Sequence, residues 1–245
     1  MTSRRTALAL CAALLAASAG CQQASPAHGF LLRYETPAAA DEDDAALLRT
    51  RKPAERALAA LNAYLDVPAP VTVVARSCAG EGTGYDPAAH RIELCYDDLE
   101  EERELLGDEE AVAAVTTETV YHEAGHALID ALGLPVASDR AEEDAADRFA
   151  AFMLIREGPQ GERALRTAAE EYRLSGAGQG HDEHAPPADR AAAHLCLLFG
   201  AAPERHPDLA DRTRGCTPDW TTVHDAWTRD LAPLLRHHEP GRGGR

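Results

Sequence analysis

The spacing of apolar residues predicts a chain that is helical over most of its length. From Glu109 onward, apolar positions recur every three or four residues, as on one face of an α-helix. One helix is predicted from Glu109 to Leu132, and Gly133 marks its end. The next opens with the capping-box pair Asp139 and Glu142. It runs to about residue 156, and further helices are predicted over 53–66, 159–174, 187–199 and 219–235.

Two short runs rich in β-branched residues precede these helices. Residues 71–76 and 91–96 are separated by a glycine-rich loop, which predicts an antiparallel pair of strands. Aromatic residues make up only 5% of the chain, so the core must be built mainly from Ala, Leu and Val. We therefore predict an α+β fold that is mostly helical. A small antiparallel β element would pack on the 109–132 helix and on the helix bundle that follows.

The amino terminus has the composition of an export signal. Arg4 and Arg5 precede an apolar stretch over 7–17, which is too short to span a bilayer. Cleavage after residue 19 would give a freely secreted protein, whereas residues 18–21 resemble a lipobox ending at Cys21. We favour a cell-surface lipoprotein acylated on Cys21, with free secretion as the alternative.

The domain organisation follows from the composition along the chain. A signal peptide is predicted over 1–20 and a flexible tether, which contains an acidic run, over 21–48. A single domain is predicted over 49–237 and a disordered tail over 238–245, with His237 and His238 solvated.

Charge and lysine content exclude two classes of ligand. The formal net charge of −17 would repel a nucleic acid. The single lysine, Lys52, does not lie in a glycine-rich loop, so a Walker-type nucleotide site is absent.

Four cysteines fall within the predicted domain. In an oxidising compartment an even number suggests two disulfides, and four cysteines allow three pairings. We favour the local pairs, Cys78 with Cys95 and Cys196 with Cys216. A four-cysteine zinc site is disfavoured because no Cys-x-x-Cys pair occurs.

The motif HEAGH lies at residues 122–126, within the long predicted helix. Residues four apart project from the same side of a helix, so His122 and His126 can bind one metal ion. Glu123 flanks the pair, where its carboxylate can hold a water on the metal and take its proton. The alternative is two core histidines bonded to carbonyls. It is disfavoured because three polar groups on an apolar stripe are costly to bury without partners.

A catalytic zinc usually needs a third protein ligand. The metzincin continuation fails, because Ile129 and Leu132 stand where glycine and histidine would be required. If the next helix returns antiparallel, a rise of about 1.5 Å per residue brings Glu143 level with His126. We predict one zinc ion per chain held by His122, His126 and Glu143, with a fourth position for water.

Asp147 follows Glu143 by one helical turn, level with His122. It would accept a hydrogen bond from the outer nitrogen of that ring and fix its tautomer. Asp139 and Asp144 are lesser candidates for the third ligand. The alternative is that these acidic residues form a solvated helix face.

These residues resemble known zinc peptidases. HEAGH followed by the E-x-x-x-D spacing of 143–147 is similar to the gluzincin pattern. More narrowly, residues 122–130 and 142–147 resemble an exported bacterial family of metallopeptidases of unknown function. Weaker likenesses lie at 85–87, 92–96, 182–184 and Cys196. The resemblance covers roughly residues 50–235 and implies a zincin-like fold.

The predicted activity is zinc-dependent hydrolysis of a peptide or protein substrate outside the cytoplasm, with Glu123 as general base. The alternative is a catalytically inert, zincin-like binding lipoprotein. No nucleic-acid partner is expected, and contact with a membrane is expected only through a lipid on Cys21.

Two further features of the predicted active site have more than one candidate: the oxyanion donor and the role of the strand at 91–96. An oxyanion donor is needed, and His184, His181 and Tyr172 are candidates. The family likeness favours His184, although a polar surface loop explains that residue equally well. The strand at 91–96 could pair with an extended substrate, or it could serve only to carry Cys95.

Overall fold

The structure, a computed structural model, describes residues 28–176, 184–213, 215–216 and 219–236. The predicted signal peptide over 1–20, the acylation site Cys21, His181 and the tail over 238–245 lie outside these residues. The described strands are β1 (Phe30–Tyr34), β2 (Val71–Arg76), β3 (Gly84–Asp86) and β4 (Arg91–Cys95). The described helices are α1 (Glu42–Arg51), α2 (Pro53–Tyr64), α3 (Asp98–Leu106), α4 (Glu109–Leu132), α5 (Asp139–Arg156), α6 (Pro159–Ser175), α7 (Pro187–Ala201) and α8 (Trp220–Asp230).

The helical part of the prediction is confirmed, since these eight helices dominate the described residues. The helix α4 ends where predicted, at Gly133, whose φ of +59° is the left-handed conformation that glycine adopts at helix ends. The cap of α5 differs by one residue, because Ser138 accepts the hydrogen bond from the Ala141 amide. The short helix α3 was not predicted, because only one of its residues, Leu99, is buried and no apolar stripe marks it.

The sheet corrects the predicted strand pairing. Its strand order is β1-β2-β4-β3, and β2 pairs with β4 in parallel, not antiparallel. The reason is that the chain reverses twice between them, first after β2 and again after β3, which forms an antiparallel hairpin with β4. The described sheet is therefore small and mixed.

The tether predicted over 21–48 is wrong from Phe30 onward. Strand β1 begins there, and the Phe30 amide and carbonyl exchange hydrogen bonds with the Asn62 side chain at 2.8 Å each. The acidic run is the start of α1, with Glu42, Asp43 and Asp44 in its first turn. Carboxylates are favourable in that position because they face the positive end of the helix dipole.

Two disulfides join the cysteine pairs that the sequence favoured. Cys78 bonds to Cys95, which links the end of β2 to the end of β4. Cys196 on α7 bonds to Cys216. Such bonds are compatible with an extracellular protein. None of the helices in the described ranges has an apolar stretch long enough to cross a bilayer.

Candidate metal centre

The HEAGH motif lies in the second half of the long helix α4. The first turn of this helix is capped by Asp108, whose carboxylate accepts hydrogen bonds from the Glu110 and Ala111 amides. One turn apart on this helix, His122 and His126 have ring centroids 4.9 Å apart, and their Nε2 atoms are separated by 3.1 Å. Both imidazoles therefore point at one location, as the i, i+4 spacing predicts.

The glycine of the motif allows α5 to lie close against α4. A Cβ at Gly125 would meet the Ala146 Cα at 3.0 Å and the Phe149 Cβ at 3.3 Å. Since helices pack as closely as the side chains at the contact allow, this pair of small residues brings the acidic face of α5 within reach of the histidines.

Three donor atoms converge at the point where α4 and α5 meet. Glu143 Oε2 lies 3.1 Å from His122 Nε2 and 3.4 Å from His126 Nε2. Zinc bonds of about 2.0–2.1 Å in tetrahedral geometry place neighbouring ligand atoms about 3.3 Å apart. The three side chains thus have the spacing that a shared zinc ion needs.

The outer nitrogens of both rings face carboxylates. His122 Nδ1 lies 2.8 Å from Asp147 Oδ1, and His126 Nδ1 lies 3.0 Å from Glu142 Oε1. These acceptors favour the proton on Nδ1, which leaves the Nε2 lone pairs directed at the shared location. Asp147 lies where the sequence predicted it, whereas Glu142 was expected only as a capping residue.

The three donor atoms, His122 Nε2, His126 Nε2 and Glu143 Oε2, form the ligand triangle. The surroundings of this triangle favour positive charge. Burial opposes a charge on His122, but hydrogen bonds with Asp147 and Glu143 outweigh it and raise the pKa of His122 to about 10. Burial likewise opposes ionisation of Glu143, yet its hydrogen bonds with His122, His126 and His184 hold its pKa well below the usual range. A divalent cation satisfies the same preference by replacing the protons on Nε2.

Glu123 lies beside the triangle and is free to accept a proton. Its side chain is buried in the wall of the cleft, and no described residue donates a hydrogen bond to its carboxylate. Burial raises its pKa, while the positive charge on neighbouring His122 and His126 opposes that shift. A buried carboxylate without a fixed partner is suited to proton transfer.

A residue that the sequence did not identify supports the site from α7. Arg190 donates two hydrogen bonds to Asp147, from Nε to Oδ2 at 2.8 Å and from NH2 to Oδ1 at 2.5 Å. Its guanidinium also lies 4.1 Å from the centre of the Tyr172 ring. Asp147 and Arg190 are 43 residues apart, so no local spacing could have signalled this pair.

The two described candidates for the oxyanion donor differ in position. His184 lines the cleft, with Nε2 2.8 Å from Glu143 Oε2 and its ring stacked on that of His122 at 5.8 Å. Tyr172 lies outside the lining of the cleft, and its hydroxyl donates a hydrogen bond to Glu118 Oε2 at 3.3 Å. Tyr172 is therefore not a suitable donor.

The triangle opens into a cleft of about 890 Å³. One wall is β3, and the other is built from the end of α4, the turn at 133–136 and the start of α5. Of the two roles considered for the strand at 91–96, pairing with substrate is wrong. The strand β4 lies inside the sheet between β2 and β3, so it has no free edge. The edge strand beside the triangle is β3.

Comparison with known proteins places the chain in a family. Residues 34–231 match the model of the family described as "DUF4344: Putative metallopeptidase". The chain belongs to this family. The resemblance to a metallopeptidase family of unknown function is thereby confirmed. Membership agrees with the HEAGH motif and suggests metal-dependent hydrolysis. No curated protein and no solved structure matches the chain at a significant level.

Proposed function

We propose that this protein is a zinc-dependent, gluzincin-like peptidase with a zincin-like arrangement of its site. The observation that carries the proposal is the convergence of His122, His126 and Glu143, with their donor atoms 3.1–3.4 Å apart. Beside them lies the carboxylate of Glu123, to which no residue in the described ranges donates a hydrogen bond. Two imidazoles and one carboxylate form a donor set of the kind found in catalytic zinc sites, which keep one position open.

The roles of the side chains follow from their positions. Zinc bound to the triangle would polarise the peptide carbonyl and make the attacking water more acidic. Glu123 takes the proton from that water and passes it to the leaving amine. Asp147 and Glu142 fix the orientation of the two imidazoles through Nδ1. His184 donates a hydrogen bond to the developing oxyanion from its place on the cleft wall.

The substrate is an extended peptide or protein segment that lies along β3. This strand is at the edge of the sheet, so its outer backbone groups are available for pairing. The mechanism assigns no role to nucleic acid. We propose that the protein works outside the cytoplasm, as a lipoprotein held by Cys21 or in freely secreted form. Mass spectrometry of the protein from the membrane fraction distinguishes a diacylglyceryl group on Cys21 from a free amino terminus.

Replacement of the general base is the test of the peptidase activity. We expect Glu123→Gln to retain one zinc per chain by elemental analysis, because Glu123 is not a ligand. Cleavage of an unstructured protein should fall by about 10²–10⁴-fold, the usual contribution of acid–base catalysis. Thr119→Ser, one turn earlier on α4, is the matched control and should leave both zinc content and cleavage unchanged.

The possible outcomes separate the peptidase from the inert lipoprotein. Undiminished cleavage by the Glu123→Gln variant would contradict the role of Glu123. A wild-type protein that binds zinc but cleaves nothing in a broad peptide library would favour the binding lipoprotein instead.

A further inference from the structure

A largely apolar groove lies next to the cleft at the metal centre. The groove has a volume of about 410 Å³ and lies between the turn after α4 and helix α8. Ile129, Leu134 and Val136 line both the cleft and the groove. The two cavities are therefore neighbours, with these three side chains between them.

The distance from the metal centre to the start of the groove is comparable to the length of one or two residues of an extended peptide. Ile129 follows His126 by three positions on α4, which is about 4.5 Å along the helix axis and on the same face. An extended peptide advances about 3.3 Å per residue. A side chain next to the peptide bond at the metal centre is therefore close enough to enter the groove.

The groove offers a surface that is largely apolar, although Arg148 and Arg229 also belong to its lining. The buried ring of Trp227 forms part of its lining and packs on Phe149 with ring centroids 4.8 Å apart, while Val223 on the same helix is also buried. Between the cleft and the groove, Val136 is 39% exposed, although it is apolar. Covering such a surface with a bulky apolar side chain is favourable by about 25 cal/mol per Å² of apolar area.

The mouth of the cleft carries negative charge. Asp130, Asp139 and Glu142 belong to its lining, and no arginine or lysine in the described part of the chain does. Asp130 accepts a hydrogen bond from Tyr85, and Glu142 contacts His126. Asp139 is exposed and has no hydrogen bond or ion pair with any residue in the described ranges. It is therefore available to a cationic side chain of a ligand.

We propose that the cleft selects extended peptides in which a bulky apolar residue is adjacent to a basic residue. The apolar side chain fills the groove against Trp227, and the basic side chain lies against Asp139. This inference rests on the proposed peptidase function, since it names the substrate class of the same site.

The inference is tested by measuring peptide binding separately from peptide cleavage. Four fluorescent peptides of one sequence differ only at two adjacent positions, Leu or Ala followed by Arg or Glu. Fluorescence anisotropy reports their affinity for the zinc-loaded Glu123→Gln variant. We expect the Leu-Arg peptide to bind at least about 10-fold more tightly than the Ala-Arg and Leu-Glu peptides.

Two further substitutions in that background assign the preference to the two features. Ala226→Trp fills the groove and should remove the advantage of Leu, whereas Thr228→Trp on the exposed side of the same helix should preserve it. Asp139→Asn should remove the advantage of Arg. Its matched control is Asp43→Asn, an exposed aspartate in the first turn of α1, which should have no effect.

The outcomes distinguish this inference from the proposed function. Equal binding of all four peptides, or a preference that Ala226→Trp leaves intact, would overturn the inference even if the wild type cleaves protein. Selective binding without any cleavage by the wild type would uphold the inference and overturn the peptidase activity. A protein that self-associates through the groove, with Ala226→Trp making it monomeric, would show that a second copy is the occupant and would also overturn the inference.

Discussion

The sheet and the α4–α5 helix pair bury different kinds of side chain. In the sheet, fully buried positions such as Val73, Ile92 and Leu94 are apolar. In the helix pair, His122 and Asp147 are also nearly inaccessible to water, yet they are polar. Burial of apolar groups stabilises a fold directly, whereas buried polar groups lower stability unless they are paired. Both regions stabilise the fold, since α4 and α5 also bury apolar residues such as Leu128 and Phe152, but only the helix pair offsets part of that gain by burying its donor atoms.

This difference implies that stability and metal binding can be changed separately. A change in the sheet should lower the free energy of unfolding and leave the zinc affinity intact. A change among the polar residues of the helix pair should lower the zinc affinity and have little effect on the free energy of unfolding.

The largest expected effect is the removal of a ligand. His126→Ala should weaken zinc binding by on the order of 10³-fold, because one of about four ligands that share about 10–16 kcal/mol is lost. Competition with a chelator measures the affinity. His224→Ala on α8 is the control and should bind zinc as the wild type does, since His224 contacts Asp225 rather than the site. Equal zinc affinity in both variants would rule out the proposed ligand set.

The next effect concerns stability alone. The double substitution Cys78→Ser with Cys95→Ser opens a 17-residue loop and should lower the free energy of unfolding by about 3 kcal/mol. Urea denaturation measures that change. The zinc stoichiometry should stay at one per chain, because neither cysteine is among the proposed zinc ligands. If zinc were lost as well, the two regions would not be independent.

A smaller effect is expected where Arg190 supports the site through Asp147. Arg190→Gln should weaken zinc binding by about 10–100-fold, the usual effect of losing an outer partner of a ligand. Arg148→Gln is the matched control, because Arg148 pairs with Asp144 and does not contact Asp147. In an Asp147→Asn background the Arg190 substitution should have little further effect. A full additional loss there would mean that Arg190 acts by another route.

The smallest effect concerns Glu171, a partly buried acid on α6. Burial, with repulsion from Glu118, raises the pKa of Glu171 from its usual 4.5 to about 7. In the unfolded chain this group ionises near its usual value, so its ionisation destabilises the fold as the pH rises from about 4.5 through 7. Glu171→Gln should therefore gain stability relative to the wild type at pH 8 and show little of that gain at pH 4. Urea denaturation at the two pH values compares them. A gain of the same size at both would show that ionisation is not the cause.

The helix pair could be predicted from the sequence because its signals are local. The 3.6-residue period gives the extent of α4, and Gly133 gives its end. The short turn to α5 then limits where Glu143 and Asp147 can lie. The position of Asp147 beside His122 follows from counting residues along two antiparallel helices.

The sheet and the outer partners of the site could not be predicted in the same way. Parallel pairing of β2 with β4 depends on how the chain turns at β3, and a three-residue strand has no clear alternation. Strand β1 was missed because only Phe30 is fully buried in it. Arg190 comes to Asp147 from a distant helix, and helix packing rather than sequence spacing determines that contact.

The size of the ligand triangle depends on a residue that has no donor atom to offer a metal ion. At Gly125 the absence of a single methyl group sets the separation of two helix axes, and with it the gap across which an imidazole and a carboxylate must share an ion. A side chain there would force the two helices apart by a few tenths of an ångström, and the distance between the imidazoles and the carboxylate would grow with that shift. A search for weakened metal sites in this family should therefore examine the third residue after the first histidine as closely as the histidines themselves.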